Sequence, residues 1–411
     1  MTPQPDLHRL PQPWMTEGPA ADVMRALTAA GGQARFVGGC VRDALIGRPI
    51  RDIDICTPMS PQRVTELLEQ AGLKAVPTGV AHGTITAVAQ GKGVEVTTLR
   101  LDLETDGRRA KVAFTDDWQA DAARRDLTIN ALSADADGKV HDYFGGLADL
   151  AAGRVRFVGE ATQRITEDYL RLLRFFRFHA DYASDGFDPA AIAAAKELAP
   201  NLKTLSGERL RQETLRLLTA RRGPEVWGEM LSLGIVEHFL PWVTSLDRLR
   251  AVAALELRHG LGSDAVRRLA ALTMTGCGPQ VAEVLRLSRA ESERVIALDA
   301  PRAPFDVATP GAVRRQVYRW GNDGALDRLL LDWPDADDQA AAAALAVILG
   351  WPRPRFPLAG ADMLRLGVPK GPRVGEILRQ VEEWWISLDF QPDHGQCLAH
   401  AKDLARTPAQ G

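Results

Sequence analysis

The chain has 411 residues, 45 % of them hydrophobic and 25 % charged, with a formal net charge of −3. That length exceeds one compact core, so several domains are expected, and no apolar run approaches the roughly 20 residues of a membrane span. The near-neutral sum excludes a uniformly basic protein, so an RNA partner must be argued from local sites.

Residues 1–20 are Pro-rich and polar, without a signal-peptide core, so a cytoplasmic location is expected. Cys40, Cys56, Cys277 and Cys397 are scattered, with no Cys-x-x-Cys pair, and read as reduced packing residues. A helix over 20–30 ends at Gly31-Gly32 and leads into the most informative stretch, 35–57. There Phe36-Val37 reads as the end of a buried strand and Gly38-Gly39 as an unobstructed turn. Residues 40–46 form a short helix closed by Gly47, where left-handed backbone is usual. Asp52 and Asp54 then alternate with Ile53 and Ile55 and point to one strand face. Two carboxylates about 7 Å apart along a strand suit a hard divalent ion such as Mg²⁺, and amides at a helix start suit phosphate. Each feature alone has an ordinary reading, a turn or a solvated strand face. Side by side they are the layout of nucleotide transfer.

This combination resembles the opening signature of the nucleotidyltransferases of the DNA polymerase beta superfamily. More narrowly it resembles the bacterial (class II) branch holding CCA-adding tRNA nucleotidyltransferases and poly(A) polymerases. The resemblance implies an α+β head with a small mixed sheet of the nucleotidyltransferase fold, followed by an all-α neck, body and tail.

Further on, 61–70 reads as a helix capped by Ser60, and 83–89 and 94–99 as strands of a hairpin. Glu95 on the second strand is either a third active-site carboxylate or an ordinary solvated Glu. The polar segment 100–118, with Asp106-Gly107-Arg108-Arg109, reads as a surface loop; in the family a mobile loop here helps the enzyme pass from adding C to adding A. Arg124-Arg125-Asp126-Leu-Thr-Ile-Asn130 matches the family's Arg-Arg-Asp-Phe-Thr-x-Asn element, with Leu127 for Phe. By resemblance Arg125 contacts the incoming nucleotide, and Asp126 is a further candidate carboxylate. His141-Asp142 suggests a metal-dependent phosphohydrolase pair, but a family turn explains 140–146 better.

Within 160–180 a single amphipathic helix is expected. Tyr169, Leu172, Leu173 and Phe176 cluster on one side, and Asp168, Arg171, Arg174 and Arg177 step round the other. The ordinary reading is a solvated basic face. The chemical one is base selection. Cytosine and adenine both present an amine beside a ring-nitrogen acceptor, which Asp168 and Arg171 complement, whereas guanine and uracil present a carbonyl to the carboxylate. Arg174 and Arg177 are placed for a triphosphate. The family has Glu-Asp-x-x-Arg-x-x-Arg-x-x-Arg as its protein template, and all five polar residues occur here. The resemblance thus implies Gly39, Arg42, Arg125, Asp168, Arg171, Arg174 and Arg177 as nucleotide-binding, and Asp52 and Asp54 as catalytic metal ligands.

Beyond residue 180 the pattern is helical, with 205–220 resembling a helix that supports the template. A Gly/Pro-rich turn over 360–375 resembles the family's tRNA-contacting tail motif, with Lys370 and Arg373 as candidate phosphate contacts. The expected division is an N-terminal extension (1–20), head (21–150), neck (151–220), body (221–300) and tail (301–411). The expected reaction adds C, C and A to a tRNA 3′ end from CTP and ATP with Mg²⁺, without a nucleic-acid template, a membrane or an obligate protein partner. The alternatives are a poly(A) polymerase, a partial enzyme adding only A or only CC, and a non-catalytic tRNA-binding protein. No Lys/Arg-rich extension favours the first of these rivals, and retention of both Asp52 and Asp54 opposes the last.

Overall fold

The computed structural model describes residues 12–29, 31–50, 52–79, 82–105, 110–184 and 186–406. Two helices lead in, α1 (Pro13–Thr16) and α2 (Pro19–Thr28). The expected extension is therefore partly helical, with Met15 buried and Trp14 edge-on to Phe36. Then come β1 (Arg35–Val37), α3 (Gly39–Leu45), β2 (Asp54–Thr57), α4 (Pro61–Gln70), β3 (Lys74–Gly79), β4 (Thr84–Ala89) and β5 (Lys92–Thr98). Ser60 caps α4 by accepting from the Arg63 N–H.

Where the sequence suggested a loop, β6 (Arg100–Thr105) and β7 (Ala110–Phe114) pair as an antiparallel ribbon. Asp106 to Arg109 lie outside the described residues. After α5 (Trp118–Ala123), the strands β8 (Ser133–Ala134) and β9 (Val140–His141) and helix α6 (Gly146–Ala151) complete the head.

Seven strands make one mixed sheet in the order β3-β4-β5-β2-β1-β8-β9, with β2 and β5 parallel. Alternation sorts its residues into two faces. In register across the sheet, Ala134, Phe36, Ile55, Val96 and Ile85 form one buried row. This face packs against α2 and α4. One residue along, the row Val37, Asp54, Glu95 and Thr86 lies on the opposite face. The alternation that buries Ile55 is what presents Asp54 to solvent.

The helices α7 (Ala161–Glu167), α8 (Leu170–Tyr182), α9 (Pro189–Leu198), α10 (Gly207–Thr219) and α11 (Gly223–Ser232) follow. The single helix expected over 160–180 is thus two, parted at Asp168 and Tyr169. Thereafter come α12 (Asp247–Arg258), α13 (Ala265–Leu272), α14 (Gly278–Val284), α15 (Arg289–Asp299), α16 (Pro310–Asp332), α17 (Asp338–Gly350), α18 (Gly360–Arg365), α19 (Pro372–Ser387) and α20 (His394–Arg406). Much of the expected turn over 360–375 is therefore helix.

The chain forms two compact units, residues 1–246 with 279–292, and 247–278 with 293–411. Apolar clusters around Leu329 and Leu345, and around Ile377 and Trp385, fill the second. Among the described residues no helix is long and apolar enough to cross a membrane.

Candidate active site

Asp54 opens β2, flanked in register by Glu95 on β5 and Val37 on β1. Asp52 precedes the strand by two residues, so only one of the expected pair is a strand residue. Asp52, Asp54 and Glu95 are all exposed. Although solvent reaches Asp54, protein packed behind it desolvates the carboxyl and raises its pKa; Glu95 raises it further, Arg125 opposes, and Asp52 adds to the rise. Carboxylates that repel one another in this way favour a cation. Among the described residues no three His, Cys, Asp or Glu side chains converge as a cage. A pair of carboxylates fits Mg²⁺, which takes few protein ligands and completes its shell with water and substrate phosphate.

The turn before α3 sits beside this strand. Gly38 has φ 71°, its N–H donates to the Leu132 carbonyl at 2.9 Å, and a Cβ there would lie 3.1 Å from Arg125 Nη1. Glycine serves both the left-handed backbone and the approach of the guanidinium. With the Gly38 amide engaged, the amides offered to an anion are those of Gly39 and Cys40, which have no partner four residues back in the helix. Arg42 lies beneath the turn and is buried. It grips Asp43 with Nε and Nη2 (both 2.9 Å), donates to Asn130 Oδ1 (2.5 Å) and stacks on Tyr182 at 4.2 Å. Direct nucleotide contact by Arg42 would require it to leave these partners; in place, it props the turn.

Three consecutive residues join the carboxylate strand to α8. Among the described residues Arg125 is held by long contacts only: Asn130 O at 3.4 Å, Cys56 Sγ at 3.7 Å and Asp121 Oδ2 at 3.5 Å. The carbonyl of Arg124 accepts from Arg171 Nη2 at 3.0 Å. Asp126 accepts from Arg174 Nε and Nη2 (2.7 Å each), from Asn130 and from the Leu127 N–H. In this structure Asp126 is a buried clamp on α8. Burial works to raise its pKa, but Arg174 and the hydrogen bonds from Asn130, Arg174 and Leu127 outweigh burial and leave it below the usual range.

Removing this clamp has a calculable sign. A depressed folded pKa contributes stability above the unfolded value near 3.8, lost as pH falls through the folded value. Asp126→Asn is expected to cost about 1–2 kcal/mol at neutral pH by removing the main partner of the half-buried Arg174. Urea unfolding across pH should show the gap from wild type closing in acid.

At the α7–α8 break, Asp168 accepts from the Leu170 N–H (3.1 Å) through Oδ1 and from Arg209 Nη2 (2.6 Å) through Oδ2. Arg171 donates to Glu167 (2.5 Å) and to the Arg164 carbonyl (3.2 Å). Arg177 is buried, bonded to Glu213 (2.5 Å) and over the Phe178 ring (4.1 Å). Arg174 Nη1 lies 3.7 Å from the same Glu213. Arg171 and Arg174 are thus joined to the element that carries Arg125, with Asp168 just before α8, while Arg42 and Arg177 face inward. Sequence reasoning placed Arg209 and Glu213 in the helix supporting the template but gave neither a partner on the template itself. Their i,i+4 spacing on α10, one face of a helix with opposite charges, is the signal that could have found them.

Over residues 34–156 the chain matches the family model described as "Poly A polymerase head domain", and over 186–246 "Probable RNA and SrmB- binding site of polymerase A". It is 35 % identical over 385 residues to the mitochondrial CCA tRNA nucleotidyltransferase 1 of Homo sapiens, covering 90 % of this chain and 86 % of that one. With the CCA-adding enzyme of Levilactobacillus brevis the identity is 32 % over 385 residues, covering 88 % and 92 %. This chain belongs to the CCA-adding tRNA nucleotidyltransferase family. The fold agrees: the Bacillus stearothermophilus CCA-adding enzyme in complex with CTP superposes with a TM-score of 0.68 at 26 % identity, over 94 % of this chain and 97 % of that one.

Two other sequence readings fit a CCA-adding family member. Asp142 accepts from the backbone N–H groups of Phe144, Gly146 and Leu147, so it builds the turn over 140–146. All four cysteines are free thiols. Burial pushes Cys40 up to about 11 and Cys56 up to about 12, which keeps both protonated and unreactive at neutral pH.

Proposed function

We propose that this protein adds CMP, CMP and AMP in turn to a tRNA 3′ end, using CTP and ATP and selecting each base with protein groups. The carrying observation is the Arg124–Asp126 element, which sets Arg125 beside Asp54 and the Gly38-Gly39 turn while seating Arg171 and Arg174 of α8. A nucleotide lying along it can offer phosphates to one end and its base to the other. The family relatives' names, and the CTP of the Bacillus structure, support the same reading.

In this reaction the primer 3′-oxygen attacks the α-phosphorus, the bond to the bridging oxygen breaks, and pyrophosphate leaves. Mg²⁺ bound by Asp52 and Asp54 would acidify the primer hydroxyl and neutralise the leaving oxygens. Gly39 and Arg125 hold the triphosphate, Asp168 accepts from the base amine, and Arg171 donates to the ring nitrogen. Arg174 adds positive charge, while Arg42 and Arg177 fix the turn and α8 from beneath. Each Asp168 oxygen retains one acceptor direction beyond its present bond. Residues 21–150 are assigned as head, 151–220 as neck, 221–300 as body and 301–411 as tail, in a cytoplasmic protein.

A tRNA ending before its CCA tests this. CTP alone should add two residues, ATP alone none, and both together all three. A long A tract from ATP alone would make it a poly(A) polymerase; no extension would leave a binding protein.

In the tail, Lys370 is exposed just before α19, while Arg373 pairs with Glu376 at 2.8 Å. Lys370→Ala is expected to raise the tRNA KM about threefold and lower the slope of log affinity against log salt by about one. Titrations at several salt concentrations read both, and an unchanged slope would remove Lys370 from the RNA path.

A further inference from the structure

We infer that Asp121 is a positioning residue for nucleotide binding, holding Arg125 and Arg124 in the arrangement that the proposed reaction uses; the inference rests on that reading. Asp121 closes the first turn of α5 and is 3 % exposed. Its Oδ1 accepts from Arg124 Nε at 2.8 Å and Nη2 at 2.7 Å, and from the Arg100 N–H at the root of the β6–β7 ribbon at 3.2 Å. Its Oδ2 faces Arg125 Nη2 at 3.5 Å. One carboxylate therefore touches the ribbon root and both arginines.

The two arginines are held differently. Arg124 is gripped tightly, which fixes the backbone whose carbonyl receives Arg171. Arg125 has no short bond in the described structure: 3.4, 3.5 and 3.7 Å separate it from Asn130 O, Asp121 Oδ2 and Cys56 Sγ. A buried carboxylate at 3.5 Å balances the guanidinium charge without saturating its donors. That leaves Arg125 oriented toward Asp54 and the Gly38 turn and able to take a phosphate oxygen. Asp121→Asn keeps the volume but turns a donor amide toward donors. Arg125 then loses its guide, and the Arg124 carbonyl that seats Arg171 loses its anchor.

The test measures steady-state constants with a tRNA ending before CCA. Asp121→Asn should raise KM for both CTP and ATP about tenfold, the scale of one hydrogen bond to a charged group, with kcat changed less than about threefold. GTP and UTP incorporation should rise alongside. The double variant Asp121→Asn/Arg124→Gln restores charge balance and separates positioning from folding. If Asp121 positions Arg125, melting temperature recovers in the double variant while KM stays high. If KM recovers together with melting temperature, Asp121 only neutralises Arg124 and the inference is wrong. Arg125→Lys isolates the parent reading. Raised KM in Arg125→Lys with unchanged KM in Asp121→Asn overturns the Asp121 role alone, whereas unchanged KM in Arg125→Lys overturns the nucleotide assignment of Arg125 itself.

Discussion

Asp54→Ala is expected to slow CMP transfer at least about 10³-fold, the scale of losing a principal electrostatic group at the reacting centre, while tRNA affinity stays within about twofold. Asp54 is placed on the open face by the same alternation that buries Ile55 on the other, so truncation removes a carboxylate without opening the core. It stands in register with Glu95, and its pKa is raised first by desolvation and then by the neighbouring Glu95, with Arg125 opposing. Single-turnover transfer from labelled CTP and tRNA filter binding measure the two quantities. Normal turnover in Asp54→Ala would refute the metal assignment.

Asp168→Ala is expected to lose selection rather than chemistry. The carboxylate is pinned by Leu170 N–H and Arg209, and Arg171 is pinned by Glu167 and two carbonyls, so the acceptor–donor spacing is preset. A good base contact is worth roughly 1–3 kcal/mol, so preference for CTP over UTP should fall by about 5- to 150-fold. Competition between CTP and UTP, read as the ratio of kcat/KM values, measures it; an unchanged ratio would exclude Asp168 from base selection. Because Arg209 holds the same carboxylate, the fixed geometry depends on α10 as well as α8.

Much of the head was legible because its signals are local. Gly38 and Gly47 mark left-handed positions, and Asp54-Ile55 shows the period-two pattern of a strand covered on one face. The α7–α8 break was not legible. Glu167-Asp168-Tyr169 contains no Gly or Pro, and the break is held by Asp168 bonding to the Leu170 amide and to Arg209, 41 residues away. The same distance effect hid the inward turn of two arginines. Arg42 meets Tyr182, and Arg177 meets Glu213, across separations that helical periodicity cannot express. The β6–β7 ribbon was hidden differently: Leu101-x-Leu103 and Val112-x-Phe114 do alternate, but intervening charges gave them the composition of a loop.

The central claim is that one nucleotide spans the Asp52/Asp54 carboxylates and the Asp168/Arg171 pair. A crystal structure with CTP and Mg²⁺ tests it most directly. The expected result has metal on Asp52 and Asp54, the triphosphate against Gly39 and Arg125, and the cytosine pairing edge on Asp168 and Arg171. A base bound away from Asp168 and Arg171 while the phosphates occupy the metal site would contradict it.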